Sequence, residues 1–123
     1  YNVTKTTTFW EAYNREDGGD NYLAFADGRD LHQSTNFQQL NGAGVQDEND
    51  GSISGTLTVF DPANTTFVKH FYSVSESNAH NAHYSWNGFM AGYGNTTSAC
   101  DAIQFKMSSG NIDSGTIKMY GVK

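Results

Sequence analysis

The sequence is poor in the residues that would commit it to a familiar chemistry. It holds one cysteine, Cys100, and one proline, Pro62. A lone cysteine excludes an intrachain disulfide. No Cys-x-x-Cys or Cys/His pattern accompanies it, so Cys100 reads as a small core residue. Lys and Arg number 7 against 13 Asp and Glu, for a net charge of -6. The basic residues are scattered singly, which argues against nucleic acid and anionic membrane surfaces as partners, because both need clustered cations. No apolar run reaches the roughly 18–20 residues of a membrane-spanning helix. No basic stretch followed by an apolar one opens the sequence, so no signal peptide is read there.

Leu, Glu, Lys and Arg are scarce, while Thr, Ser, Asn, Gly and aromatic residues abound. Strand and turn formers therefore outnumber helix formers. The 123 residues fit one domain, and a chain of this size buries roughly two-thirds of its unfolded surface without a disulfide or a structural metal.

Thr and β-branched content predicts a strand over 3–10, apolar–polar alternation predicts strands over 21–26 and 52–60, with 66–74 returning as a partner, and aromatic content predicts one over 84–90. Asp61-Pro62-Ala63-Asn64 predicts a type I turn with Pro at its second position, making 52–74 a hairpin. Two further strands are expected around Ile103, Phe105 and Met107, and around Ile117 and Met119, on either side of the turn-forming run Ser108 to Gly115. The one helical candidate is a single turn over Ser34 to Gly42, with Phe37 and Leu40 three apart. Asn41 to Gly51 is polar and acidic and predicts a long exposed loop. The expected architecture is all-β: an antiparallel β-sandwich, jelly-roll-like, over residues 1–123, with residues 1–50 holding an attachment region.

Three groups of residues bear on chemistry. His70, His80 and His83 lie close in sequence, but no HExxH, Cys pair or further ligand at zinc spacing joins them, so they read as loop histidines. Glu16-Asp-Gly-Gly-Asp20 and Asp47-Glu-Asn-Asp-Gly51 could offer oxygens to calcium. The same residues are those of ordinary turns, and neither run fits an EF-hand. The aromatic run with amides, Tyr84, Trp86, Asn87 and Tyr93, has the makings of a glycan contact: apolar stacking beside directional hydrogen bonds. Burial of alternate members in a core explains the same pattern. No nucleophile elbow, phosphate loop or paired catalytic carboxylate is present, so no catalytic residue is assigned and a non-enzymatic role is expected. Three Asn-x-Thr sequons, at Asn2, Asn64 and Asn95, read as turn sequences in a chain this rich in Asn and Thr.

The runs Gly51 to His70, Asn95 to Phe105 and Ser109 to Lys123, the last closing on Tyr120-Gly-Val-Lys123, resemble segments of structural proteins of marine tailed bacteriophages. Such proteins commonly end in Tyr-Gly-(Ile/Leu/Val)-Lys. The resemblance covers roughly residues 51 to 123. It implies a virion component without enzymatic activity or cofactor: a capsid decoration protein or, alternatively, a tail-fibre or adhesin domain that grips a host receptor or glycan. It implies other virion proteins as partners. A homo-oligomer, with a trimer at a threefold position, is the expected state. Assembly contacts are expected at Val3, Thr7, Phe9 and Trp10, in the part that the resemblance does not reach. Deleting residues 1–10 should then weaken particle binding and spare the fold.

Overall fold

The computed structural model describes residues 2–45, 50–79 and 83–122. Five strands are present: β1 (Lys5–Arg15), β2 (Asn21–Phe25), β3 (Ile53–Val59), β4 (Lys69–Ala79) and β5 (Tyr84–Gly94). They form one antiparallel sheet in the order β2-β1-β5-β4-β3. The all-β, antiparallel expectation holds. The described residues form this single sheet, and no second sheet faces it.

Directly opposed residues share a face of a pleated sheet. On one face the register aligns Ala24, Glu11, Gly88, Ser75 and Gly55 across all five strands. Beside that row lie Phe9, Met90, Ser73 and Leu57. Phe9 is fully enclosed, and with Met90 and Ala26 it makes the buried apolar cluster, flanked by Leu40, Leu57 and Phe71. The second layer on this face is the segment 26–45, which has no helix or extended strand and is marked by isolated bridges, that of Ser34 with Lys5 among them. It is tied down by polar groups. The Ser75 hydroxyl donates to the Leu40 carbonyl at 2.6 Å, and Ser77 donates to Asn41 Oδ1 at 3.0 Å. Thr7 Oγ1 donates to Gln38 Oε1 and accepts the Leu31 amide.

Close approach explains Gly42 at the end of this layer. A side chain there would collide with the Trp86 indole and the Glu11 carboxylate. The predicted helical turn over Ser34 to Gly42 is not formed. Ser34 instead exchanges two backbone hydrogen bonds with Lys5, at 2.8 and 3.0 Å, which holds it extended. The expected exposed loop is corrected at its start: Asn41 and Gly42 are buried beneath the sheet, while Gln46 to Asn49 lie outside the described residues.

The Asp61–Asn64 turn forms as expected, with the Asn64 amide donating to the Asp61 carbonyl. The partner strand begins at Lys69 rather than Thr66. Asn64 Oδ1 takes the amides of Thr66 and Phe67, prolonging the turn. The buried Lys69 ammonium then closes it by donating to the carbonyls of Asn64 and Phe67.

The two C-terminal strands are not formed. Residues 101–122 have no regular structure and, among the described residues, make no hydrogen bond within the chain. Their apolar side chains are exposed, except Phe105, which is half-buried. Alternation gave these segments a strand pattern, but a strand also requires a neighbour's backbone.

Candidate functional site

The opposite face of the sheet is left largely open by the described residues, Gln33 reaching it only beside Thr6 and Tyr93. One row across it reads Phe25, Trp10, Phe89 and Val74, contributed by β2, β1, β5 and β4. Trp10 and Phe25 remain about half exposed, at 53% and 51%, and Phe89 at 40%. Leu23, in the neighbouring row, is 70% exposed. The Trp10 and Phe89 rings meet at 5.6 Å between centroids, and Phe60 and Tyr72 at 5.9 Å further along the same face. Scattered exposed apolar residues are ordinary, whereas a contiguous aromatic row on an open sheet marks a surface that another molecule covers.

This row follows from sequence periodicity read two ways. In β1 the odd positions Thr7, Phe9 and Glu11 go inside, and the even positions Thr8, Trp10 and Ala12 go out. The expected assembly residues therefore divide. Phe9 and Thr7 are buried under the 26–45 layer and are withdrawn as contacts. Val3 is half-buried, with its carbonyl accepting from the Lys5 ammonium. Trp10 alone stands on the open face. Deletion of residues 1–10 would remove Phe9 from the core and half of β1 with it, so the expectation that the fold survives this truncation is also withdrawn.

The four residues of the expected glycan contact divide as well. Tyr84 and Trp86 share the covered face, where they join Tyr13 and Tyr22 at the end that the 26–45 layer leaves partly bare. Tyr13 sits at the centre: its ring is 4.4 Å from Trp86, 5.0 Å from Tyr84 and 5.2 Å from Tyr22, stacked on the last. Asn87 and Tyr93 point to the other, open face, beside Ala12 and Thr6. Asn87 Oδ1 is shielded there and takes no donor among the described residues.

Beneath the aromatic cluster runs a buried polar network. Glu11, 6% exposed, accepts the Trp86 indole N–H at 3.1 Å through Oε2 and pairs with the Arg29 guanidinium at 2.6 Å through Oε1. The pair pins the covering layer to the sheet, since Arg29 belongs to the former and Glu11 to the latter. Sequence reasoning missed both residues, because nothing local distinguishes Glu11 in a strand from a solvated glutamate. Two ionisable groups on β1 are displaced from their ordinary ranges. Burial, followed by the hydrogen bond and charge of Asp20, pushes the Tyr13 phenol upward. Burial lowers the Lys5 ammonium.

The Glu16–Asp20 carboxylates serve a turn, whereas His70 lies in β4. Asp17 Oδ1 accepts the Gly19 amide and its Oδ2 pairs with Arg15, while Asp20 accepts the Tyr13 hydroxyl. Among the described residues no three His, Cys, Asp or Glu side chains gather as metal ligands. His80, Asp47, Glu48 and Asn49 lie outside the described residues. His70 packs its ring at 6.3 Å from Tyr93 on the open face, and His83 holds a left-handed turn at φ 49°. In comparisons with known proteins, the chain matches no family model, no curated protein and no solved structure.

Proposed function

We propose that this protein is a non-enzymatic virion component of a tailed bacteriophage, a capsid decoration protein that acts through protein–protein contact. The observation that carries the reading is the open apolar row Phe25, Trp10, Phe89 and Val74 on a sheet whose other face is largely covered. A stable contact buries at least about 1,000 Å², with aromatic side chains at its centre. A broad sheet face presents such an area without a cleft. On a symmetric particle, repetition would multiply modest contacts into firm attachment. The resemblance of residues 51 to 123 to phage structural proteins supplies the kind of partner, another virion protein.

Two measurements test this reading. One is the position of the chain in a reconstruction of the assembled particle, with the Trp10 face against shell protein. The other is co-sedimentation of purified protein with undecorated particles. A Trp10→Lys variant that stays folded and still binds fully would overturn it.

A second reading, a tail-fibre or adhesin domain, is favoured by the Tyr13, Tyr22, Tyr84 and Trp86 cluster. Its outermost ring, Tyr22, is 45% exposed beside the carboxylate of Asp20. Stacked rings beside hydrogen-bonding groups suit a sugar. Under this reading, Tyr22→Ala abolishes glycan-dependent adsorption to host cells and Trp10→Lys does not.

A further inference from the structure

The segment 101–122 and the β3 edge are both incomplete, and each has the pattern the other needs. β3 is the last strand of the sheet, with β4 on one side and no strand on the other. Its seven residues, Ile53 to Val59, include no Pro and no charged residue to discourage pairing. Edges of this kind are usually guarded. Ile53, Leu57 and Val59 lie on the covered face of the sheet, yet the 26–45 layer does not reach over them fully: Ile53 is 45% exposed and Val59 37%. Ser54, Thr56 and Thr58 line the opposite side.

Residues 116–122 read Thr-Ile-Lys-Met-Tyr-Gly-Val, with Ile117 and Met119 on one side of an extended chain and Thr116, Lys118 and Tyr120 on the other. Ile117 is 68% exposed and Met119 86%. Laid beside β3, this run would set Ile117 and Met119 against Ile53, Leu57 and Val59, and Lys118 on the Ser/Thr side. Exposed Glu76, opposite Ser54 on β4, offers a countercharge on that side.

The start of this tail is engaged with its own chain. The Cys100 amide donates to the Pro62 carbonyl at 2.8 Å, and Lys106 stacks its ammonium over the Phe37 ring of the covering layer at 4.4 Å. Residues 100–106 are thereby held by their own chain, between the β3–β4 turn and the covering layer, whereas 116–122 make no hydrogen bond with it.

We propose that residues 116–122 of one copy add as a sixth strand to the β3 edge of a second copy, linking copies by exchanged arms. Main-chain hydrogen bonds would give the affinity and the alternate apolar side chains the register. The exchange is a property of the free protein and does not depend on the virion reading.

Cysteine cross-linking of the full chain tests it, in a Cys100→Ser background. Thr56→Cys is co-expressed in turn with Thr116→Cys, Lys118→Cys and Tyr120→Cys on differently tagged copies and mildly oxidised. The expected result is a disulfide-linked pair of tags, with a peptide joining position 56 to one of the three arm positions. Sedimentation of the unmodified protein should show a species larger than a monomer, which Met119→Lys dissociates. A monomer at all concentrations, or a link that forms only within a single doubly substituted copy, would overturn the exchange. So would the absence of any link. Particle binding through Trp10 would be untouched by each of these results.

Discussion

Trp10 stands directly opposite Phe89 on the uncovered side of the sheet, their ring centroids 5.6 Å apart. Neither ring is sealed from water, so the pair contributes little to folding compared with what it offers a partner. Replacing Trp10 by Lys should lower stability by about 1 kcal/mol, the scale of a cross-strand aromatic pair. The same change should abolish co-sedimentation with particles. Thermal melts and binding, measured on the same sample, separate the two effects.

Glu11 behaves in the opposite way. Removing its carboxylate strands the Arg29 guanidinium and the Trp86 indole N–H together. Glu11→Ala should cost about 3–5 kcal/mol, as for a buried pair broken on one side. Glu11→Gln, which keeps an acceptor, should cost less. Denaturant midpoints give the energies, and Trp86 fluorescence reports the release of the covering layer.

Gly42 tests how tightly that layer closes. An added methyl would press on the Trp86 indole and on Glu11 Oε2, so Gly42→Ala should destabilise by about 1–3 kcal/mol. Gly18→Ala also loses stability, but for a different reason: its φ of 71° is left-handed and the space around it is open. Double substitution of Gly42 and Glu11 should cost less than the sum, because both changes loosen one contact.

Tyr13 gives the chain a stability that depends on alkaline pH. Its phenol is raised above the ordinary value of 10.0 by burial and by Asp20. The folded chain therefore keeps a proton that the unfolded chain releases near that pH. The resulting stabilisation is fully present below about pH 10 and is lost as pH rises through the folded value. Tyr13→Phe should be less stable than the parent at about pH 9, and the gap should narrow steadily above about pH 10. Urea midpoints across this range would show no narrowing if the phenol titrates normally.

Local pattern made most of the sheet legible. Strand-forming residues and alternation marked all five strands, the start of β4 excepted, and Asp61-Pro62 marked the hairpin turn. The end of β5, residues 91–94, escaped, because Gly92 and Gly94 read as turn residues. They sit in the strand because neighbours approach closely: a side chain on Gly92 would meet the Thr6 carbonyl and Thr7, and one on Gly94 would meet Val3. The run from Glu11 to Arg15 escaped for a related reason, since a buried glutamate among polar residues breaks the apolar alternation. The open face could not be foreseen, because a strand with apolar residues on both sides looks the same whether one side or both are covered. Ile117 and Met119 show the converse: a regular pattern names the side that wants burial and says nothing of what buries it.

The serines beneath the covering layer have a thermal consequence. Where most sheets meet their second layer with leucine and valine, this one offers Ser73, Ser75 and Ser77, all nearly inaccessible. Melting such an interior hydrates hydroxyls and carbonyls as much as hydrocarbon, and these act with opposite sign on heat capacity. The increment on unfolding should fall below the usual 12–15 or so cal/mol/K per residue. Calorimetry would then trace an unusually flat dependence of folding free energy on temperature, and the molecule would resist chilling better than a greasy core of equal size.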